Sequence, residues 1–123
     1  MEKARYVLDT NMIISLLKSE KVQEIFNSVE LFVSIISRME LLSRPDITEE
    51  DELEILGFLS KVTIVGIDNS IESAVISLRR SRKIKLPDSI IVATSVVLEA
   101  TLLTHDAQLL NLSWPSYMVH DKP

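Results

Sequence analysis

At 123 residues, with 46% hydrophobic and 25% charged side chains, the chain has the length and apolar content of one domain that buries its core without covalent staples. The absence of cysteine excludes disulfides, zinc–thiolate sites and a thiol nucleophile, so any metal must be held by oxygen or histidine. A formal net charge of −5 argues against a nonspecific nucleic-acid coat, but carboxylates neutralised by bound cations would still admit an RNA substrate.

Behind Glu2-Lys3, Tyr6-Val7-Leu8-Asp9 reads as a short buried strand, so a basic segment followed by a separate apolar leader is not expected. Met12, Ile13, Leu16 and Leu17 then recur at helical spacing, with Asn11 as the expected cap. A polar–apolar segment from Lys21 to Phe26 precedes a second strand, Leu31 to Ile36, and Ser37 is expected to open a helix through Leu42 that stops near Pro45. Thr48 followed by Glu49, Glu50 and Asp51 predicts another helix start, with Leu53, Leu56 and Leu59 as its apolar stripe. Val62 to Val65 is the third strand. Asn69-x-x-Glu72 has the form of a capping box before a helix whose buried face is Ile71, Val75 and Leu78, ending in the basic stretch Arg79 to Lys85. Pro87 suits the first turn of a helix that is apolar nearly all round and so belongs in the middle of the domain. Ala100 to Thr104 and Tyr117 to Val119 complete the strands. The longest apolar run, Ile90 to Leu98, is broken by Thr94 and Ser95 and is too short to span a bilayer, so the expectation is a cytoplasmic protein with no membrane association. Strands alternating with helices imply a parallel sheet of four or five strands covered on both faces, in one domain spanning residues 1–123.

Four carboxylates, Asp9, Glu40, Asp88 and Asp106, stand where strand-like runs give way to helix starts or on first turns. In an open parallel sheet these places share the edge where ligands bind. Each acid also has a local explanation. Glu40 closes Ser37-x-x-Glu40 as a capping box, Asp88 complements a helix dipole, Asp106 caps the turn Ala107 to Leu110, and Asp9 ends a strand as an Asx turn. Jointly the local readings leave a deficit, because close like charges repel by about 4 kcal/mol per pair at an effective dielectric near 20, whereas a helix N-terminus returns about 0.3–1 kcal/mol. A divalent cation resolves the repulsion, and an all-oxygen ligand set favours Mg²⁺ or Mn²⁺ over zinc.

Leu8-Asp9-Thr10-Asn11, Ser37-x-x-Glu40-Leu41, Leu86-Pro87-Asp88-Ser89-Ile90-Ile91-Val92-Ala93-Thr94 and Leu103-Thr104-x-Asp106 resemble, in order and spacing, the motifs of PIN-domain ribonucleases, and the compact length is similar to that of VapC toxins. The resemblance implies a three-layer α/β/α fold and an acidic quartet of Asp9, Glu40, Asp88 and Asp106 that binds one or two Mg²⁺ or Mn²⁺ ions and hydrolyses single-stranded RNA. It also implies that Thr10 or Asn11 and Thr104 support the metal or its water. Toxins of this kind form homodimers and bind a cognate antitoxin. A groove for the antitoxin is expected around Met12, Ile13, Leu16 and Leu41. One departure from the family pattern is Arg82-Lys83-Ile84-Lys85, where many such toxins have a glycine-containing turn. Arg82 continues the stripe of Ile71, Val75 and Leu78, so its guanidinium is expected to turn towards the acids and bind a phosphate of single-stranded or structured RNA.

Other functions fit less well. A phospho-receiver domain needs two adjacent acids after its first strand, an aspartate ending the third and a lysine ending the fifth, and a haloacid-dehalogenase-type phosphatase needs Asp where Asn11 stands. Only two glycines leave no phosphate-cradling loop. A housekeeping or catalytically silent PIN-like domain that binds RNA or protein is the remaining alternative.

Overall fold

In the computed structural model the described residues are 3–19 and 22–122; Glu2 and Lys21, which enter the expectations above, lie outside them. The first strand, β1 (Ala4–Leu8), leads into α1 (Thr10–Leu17) and α2 (Val22–Ser28). Next come β2 (Val29–Ser34), α3 (Ile35–Leu42), α4 (Glu49–Leu59) and β3 (Thr63–Val65). The second half contains α5 (Asn69–Ser81), α6 (Leu86–Leu98), β4 (Thr101–Leu103), α7 (Ala107–Leu110) and β5 (Val119–His120). The five strands form one sheet in the order β3-β2-β1-β4-β5, and every pairing is parallel.

Because side chains alternate across a strand, Val7 and Leu8 enter different cores. Leu8, Leu31, Val33 and Leu103 pack on one face with Met12 and Ile13 of α1, Leu41 of α3 and Ile55, Phe58 and Leu59 of α4. Val7, Phe32 and Leu102 pack on the other with Leu78 of α5 and Ile91 and Val92 of α6. The result is the expected three-layer α/β/α arrangement. Helix α6 is buried continuously from Ser89 to Ser95. Its buried hydroxyls donate to carbonyls of their own helix, Ser89 to Leu86 at 2.6 Å, Thr94 to Ile90 at 2.7 Å and Ser95 to Val92 at 2.7 Å, so none of the three is stranded in the core. Among the described residues no helix is long and apolar enough to cross a membrane.

Local details depart from expectation at the caps. The N-cap of α1 is Asp9, not Asn11, and the cap of α5 is Asp68, not Asn69; each aspartate accepts the amide of the residue three positions on. An aspartate at the strand end already has the extended backbone that an N-cap needs, so the helix begins one or two residues early. For the same reason α3 opens at Ile35 with Ser34 as cap, and the Ser37–Glu40 capping box does not form. Ser37 is instead fully buried inside the helix. Of the stripe expected on α4 only Leu59 is buried; Ile55 and Phe58 share its face, whereas Leu53 is 72% exposed and Leu56 37% exposed. Leu53, Ile55, Leu56, Phe58 and Leu59 are spread around the second half of α4, so the neighbouring layer decides which of them face inward. Met12, Ile13 and Leu41 are core residues, which removes the groove expected around them.

Candidate functional site

The chain builds β1, then β2 and β3 to one side, and only later places β4 on the other side of β1. The crevice between the carboxyl ends of β1 and β4 is therefore the topological switch point, where an open α/β sheet presents its ligand site. Asp9 follows β1 and Thr104 follows β4. The ladder continues to this point through Asp9 N–H donating to the Leu103 carbonyl at 3.3 Å. The Thr104 hydroxyl donates to Oδ2 of Asp9, while Oδ1 accepts from the Met12 amide at 2.7 Å. Asp9 is 6% exposed and Thr104 fully buried.

Thr104 also orients the next carboxylate, since its hydroxyl oxygen accepts the Asp106 amide at 3.0 Å. Asp106 caps α7, accepting from Gln108 N–H at 2.8 Å, so the expected cap forms and also faces the crevice. Asp88 enters from the first turn of α6, and Glu40 from α3. Thr10, the first residue of α1, donates to Oε1 of Glu40 at 2.7 Å and lies 3.0 Å from the Ser37 hydroxyl. Asp9, Glu40, Asp88 and Asp106 thus line one cleft of about 130 Å³, together with Thr10 and Asn11 and over Ile91.

The cleft is electrostatically loaded. Burial raises the Asp9 carboxyl above its ordinary value, against the lowering effect of its hydrogen bonds from Thr104 and Met12. Burial also raises Asp88, and repulsion from Asp106, Glu40 and Asp9 pushes the same way. Neither ion pair among the described residues, Arg5–Glu30 or Arg44–Asp46, involves the four acids. Asp88 has no hydrogen-bond donor among the described residues, and each oxygen of Asp9 keeps a lone pair beyond the donor it uses.

No group of three or more His, Asp or Glu side chains among the described residues is arranged to hold a metal ion as it stands. The carboxylates line the cleft without closing on one point. The donor chemistry fits a hard divalent cation. The candidate ligands are all oxygen, and one is desolvated and fixed by two donors. Among the described residues no lysine or arginine forms an ion pair with them, although Lys85 stands near enough to Asp88 to lower its carboxyl in part.

Arg82 does not line this cleft. Its Nε donates to the Ser113 carbonyl at 3.0 Å and its Nη1 to the Ser81 carbonyl at 2.9 Å, because the backbone of α5 turns extended at this residue and redirects the side chain away from the helical stripe. Two participants escaped the sequence reading. Ser37, expected as a cap, stands three residues before Glu40, which sets it beside that acid on one helix face. Tyr117 donates to the Leu109 carbonyl at 3.1 Å and ties the chain before β5 to α7; burial, with Asp9 and Asp106 nearby, holds its phenol above the ordinary value. No local pattern signals it.

The chain matches the family model for the PIN domain over residues 6–115. Among solved structures, a toxin–antitoxin complex from Klebsiella pneumoniae is 25% identical with a TM-score of 0.73, covering 92% of this chain and 95% of that one. VapBC2 from Rickettsia felis, bound to a DNA fragment from its promoter, is 18% identical with a TM-score of 0.79, covering 94% and 97%. DNA-bound VapBC from Salmonella typhimurium is 21% identical with a TM-score of 0.76, covering 98% of both chains. Among curated proteins, none matches the chain.

Proposed function

The chain belongs to the PIN-domain family, and from that premise we propose that residues 1–123 form one nuclease domain, a Mg²⁺- or Mn²⁺-dependent endoribonuclease that cleaves single-stranded RNA in the cytoplasm as the toxin of a toxin–antitoxin pair. The observation that carries this reading is the meeting of Asp9, Glu40, Asp88 and Asp106 in one cleft at the switch point without a cationic side chain among them. Asp9, held by two hydrogen bonds, and Asp88, which accepts none among the described residues, are assigned as direct ligands. Glu40, fixed by Thr10, orients the attacking water, and Asp106 completes the acidic set, with Thr104 holding Asp9 and Asp106 in register. Asn11 is assigned to the substrate side of the cleft. A divalent cation bound here would acidify water for attack on phosphorus and stabilise charge on the leaving oxygen.

The restraining partner finds a different surface. Leu17, Phe26, Leu53, Gly57, Phe58 and Lys61 line a groove of about 270 Å³, and a neighbouring cleft shares Leu17 and Glu54 with it. The exposed Leu53 and a wall of Phe26 and Phe58, with ring centroids 5.4 Å apart, suit an amphipathic antitoxin segment. The similarity to toxin–antitoxin complexes supports an antitoxin partner, and the placement on this groove rests on its apolar lining. A homodimer, implied by the family, belongs to the same proposal.

The test is cleavage of single-stranded RNA by purified protein with Mg²⁺ or Mn²⁺, its arrest by EDTA, and its loss in Asp88→Asn. Cleavage that survives both EDTA and this substitution would overturn the nuclease assignment. Co-expression with the product of a neighbouring reading frame should relieve growth arrest, and Leu53→Asp should weaken the complex while sparing cleavage; harmlessness of the free wild-type protein at high expression would point to a housekeeping PIN nuclease instead.

A further inference from the structure

Seven residues after Leu78 hold five of the chain's thirteen lysines and arginines, and no acid intervenes between Glu72 and Asp88. The structure divides these cations. Arg79 donates from Nε to the Ile84 carbonyl at 3.3 Å, and Arg82 is spent on the Ser113 and Ser81 carbonyls, so both brace the link between α5 and α6. Arg80 and Lys83 are exposed and have no ion-pair or hydrogen-bond partner among the described residues. They stand on a groove of about 530 Å³ whose apolar surface includes Ile76, 45% exposed, and Leu86, 49% exposed.

Position relates this groove to the acids. Leu86 lines the groove and Asp88 lines the acidic cleft, and both belong to the first turn of α6. Two residues along a helix are about 200° apart around its axis and about 3 Å along it, so the cationic groove and the acidic cleft flank opposite sides of the same first turn, about one helix diameter of 10–12 Å apart. We propose that the groove is a subsite for single-stranded RNA flanking the scissile phosphate, with Arg80 and Lys83 taking phosphates and the aliphatic surface receiving a ribose or base face. The inference rests on the nuclease reading for the identity of the cleft, but not for the charge and shape of the groove. On a chain of net charge −5, a cationic run with no acid inside it is complementary to a polyanion. The groove is lined by no aromatic side chain, so the subsite reads the backbone and carries little base preference.

Binding of a short fluorescent single-stranded RNA to the full chain is measured by anisotropy in EDTA across a salt series, so that cleavage plays no part. Because each phosphate contact on a single strand contributes about 0.7 to the slope of log K against log salt, Arg80→Gln with Lys83→Gln should flatten that slope by about 1.4. Lys18→Gln with Lys61→Gln, on the opposite layer, should leave it unchanged. Arg82→Gln should alter thermal stability more than salt dependence. An unchanged slope in the Arg80/Lys83 variant overturns the subsite, as does loss of self-association in that variant with RNA affinity intact, which would assign the groove to a second copy of the chain. If the expected slope change appears while the wild type cleaves no RNA with any divalent metal, the subsite stands and the nuclease reading falls.

Discussion

The chain has two concentrations of acid, and they behave oppositely. In α4, Glu49, Glu50, Asp51, Glu52 and Glu54 follow one another on a single helix; all but Asp51 are exposed, and Asp51 completes a capping box with Thr48. Asp9, Glu40, Asp88 and Asp106 are spread over nearly one hundred positions, yet face one cleft. The run complements its own helix dipole and is solvated. The dispersed set draws on four elements, and burial with mutual repulsion raises the carboxyls of Asp9 and Asp88. Density of charge in sequence marks a surface, whereas convergence of charge in space marks a candidate site.

The strongest test of that contrast is substitution in the dispersed set. Asp9→Asn and Asp88→Asn should each lower RNA cleavage by roughly 100-fold or more, given that partners one step removed from a metal are commonly worth about 10–100-fold. Asn caps a helix as well as Asp does, so Asp9→Asn should remain folded by circular dichroism. If either variant retains full activity, the convergence has no catalytic meaning.

A smaller effect is expected behind the carboxylates. Thr104→Val removes the hydroxyl that joins Asp9 to the Asp106 amide, and should weaken Mn²⁺ binding, measured by calorimetry, by about 10–100-fold. Thr104→Ser should restore most of it. Failure of serine to rescue would assign Thr104 to packing rather than to orienting Asp9.

The pH response sharpens the comparison further. The folded-state values of Asp9 and Asp88 lie above the ordinary 3.8, so the native state holds protons that the unfolded chain has already released. Their stabilising contribution is full below 3.8 and is lost as pH rises through the raised native values. In EDTA, Asp88→Asn should therefore raise the Tm at neutral pH and lessen the decline from mild acid. Added Mn²⁺ should raise the wild-type Tm at neutral pH by mass action and much less the Tm of the variant. Equal metal-induced shifts in both proteins would separate Asp88 from the cation.

The smallest effects belong to α4. Thr48→Ala should cost about 1 kcal/mol in denaturant unfolding through loss of the cap, with no change in cleavage. Glu50→Gln and Glu52→Gln should each stay within about 0.5 kcal/mol, as exposed substitutions usually do. A large loss of activity from any of these three would erase the distinction between the two acidic regions.

Much of the fold was legible in local pattern. Alternating strands and helices, a continuously apolar helix after Pro87 and the spacing of Ile71, Val75 and Leu78 each reflect interactions within one element or with one adjacent layer, and each has its expected counterpart in the structure. The order of the four acid-bearing motifs was legible for the same reason, because strand ends and helix starts are local events. What sequence alone misjudged were choices among near-equivalent local solutions. Asp9 displaced Asn11 and Asp68 displaced Asn69 as caps, and the phase of α4 turned Leu53 outward and Ile55 inward.

Other features came only with the tertiary structure. Placing β4 beside β1 brings Thr104 to Asp9 across 95 positions of sequence, and the extended backbone at Arg82 sends its guanidinium to Ser113 rather than to the acids. The groove that begins at Leu17 and ends at Lys61 is a matter of which helices become neighbours. Residue type fixed what each side chain could donate, accept or repel; which partner it met was decided by strand order and helix phase, since those are set by burial summed over the whole chain and not by any one segment.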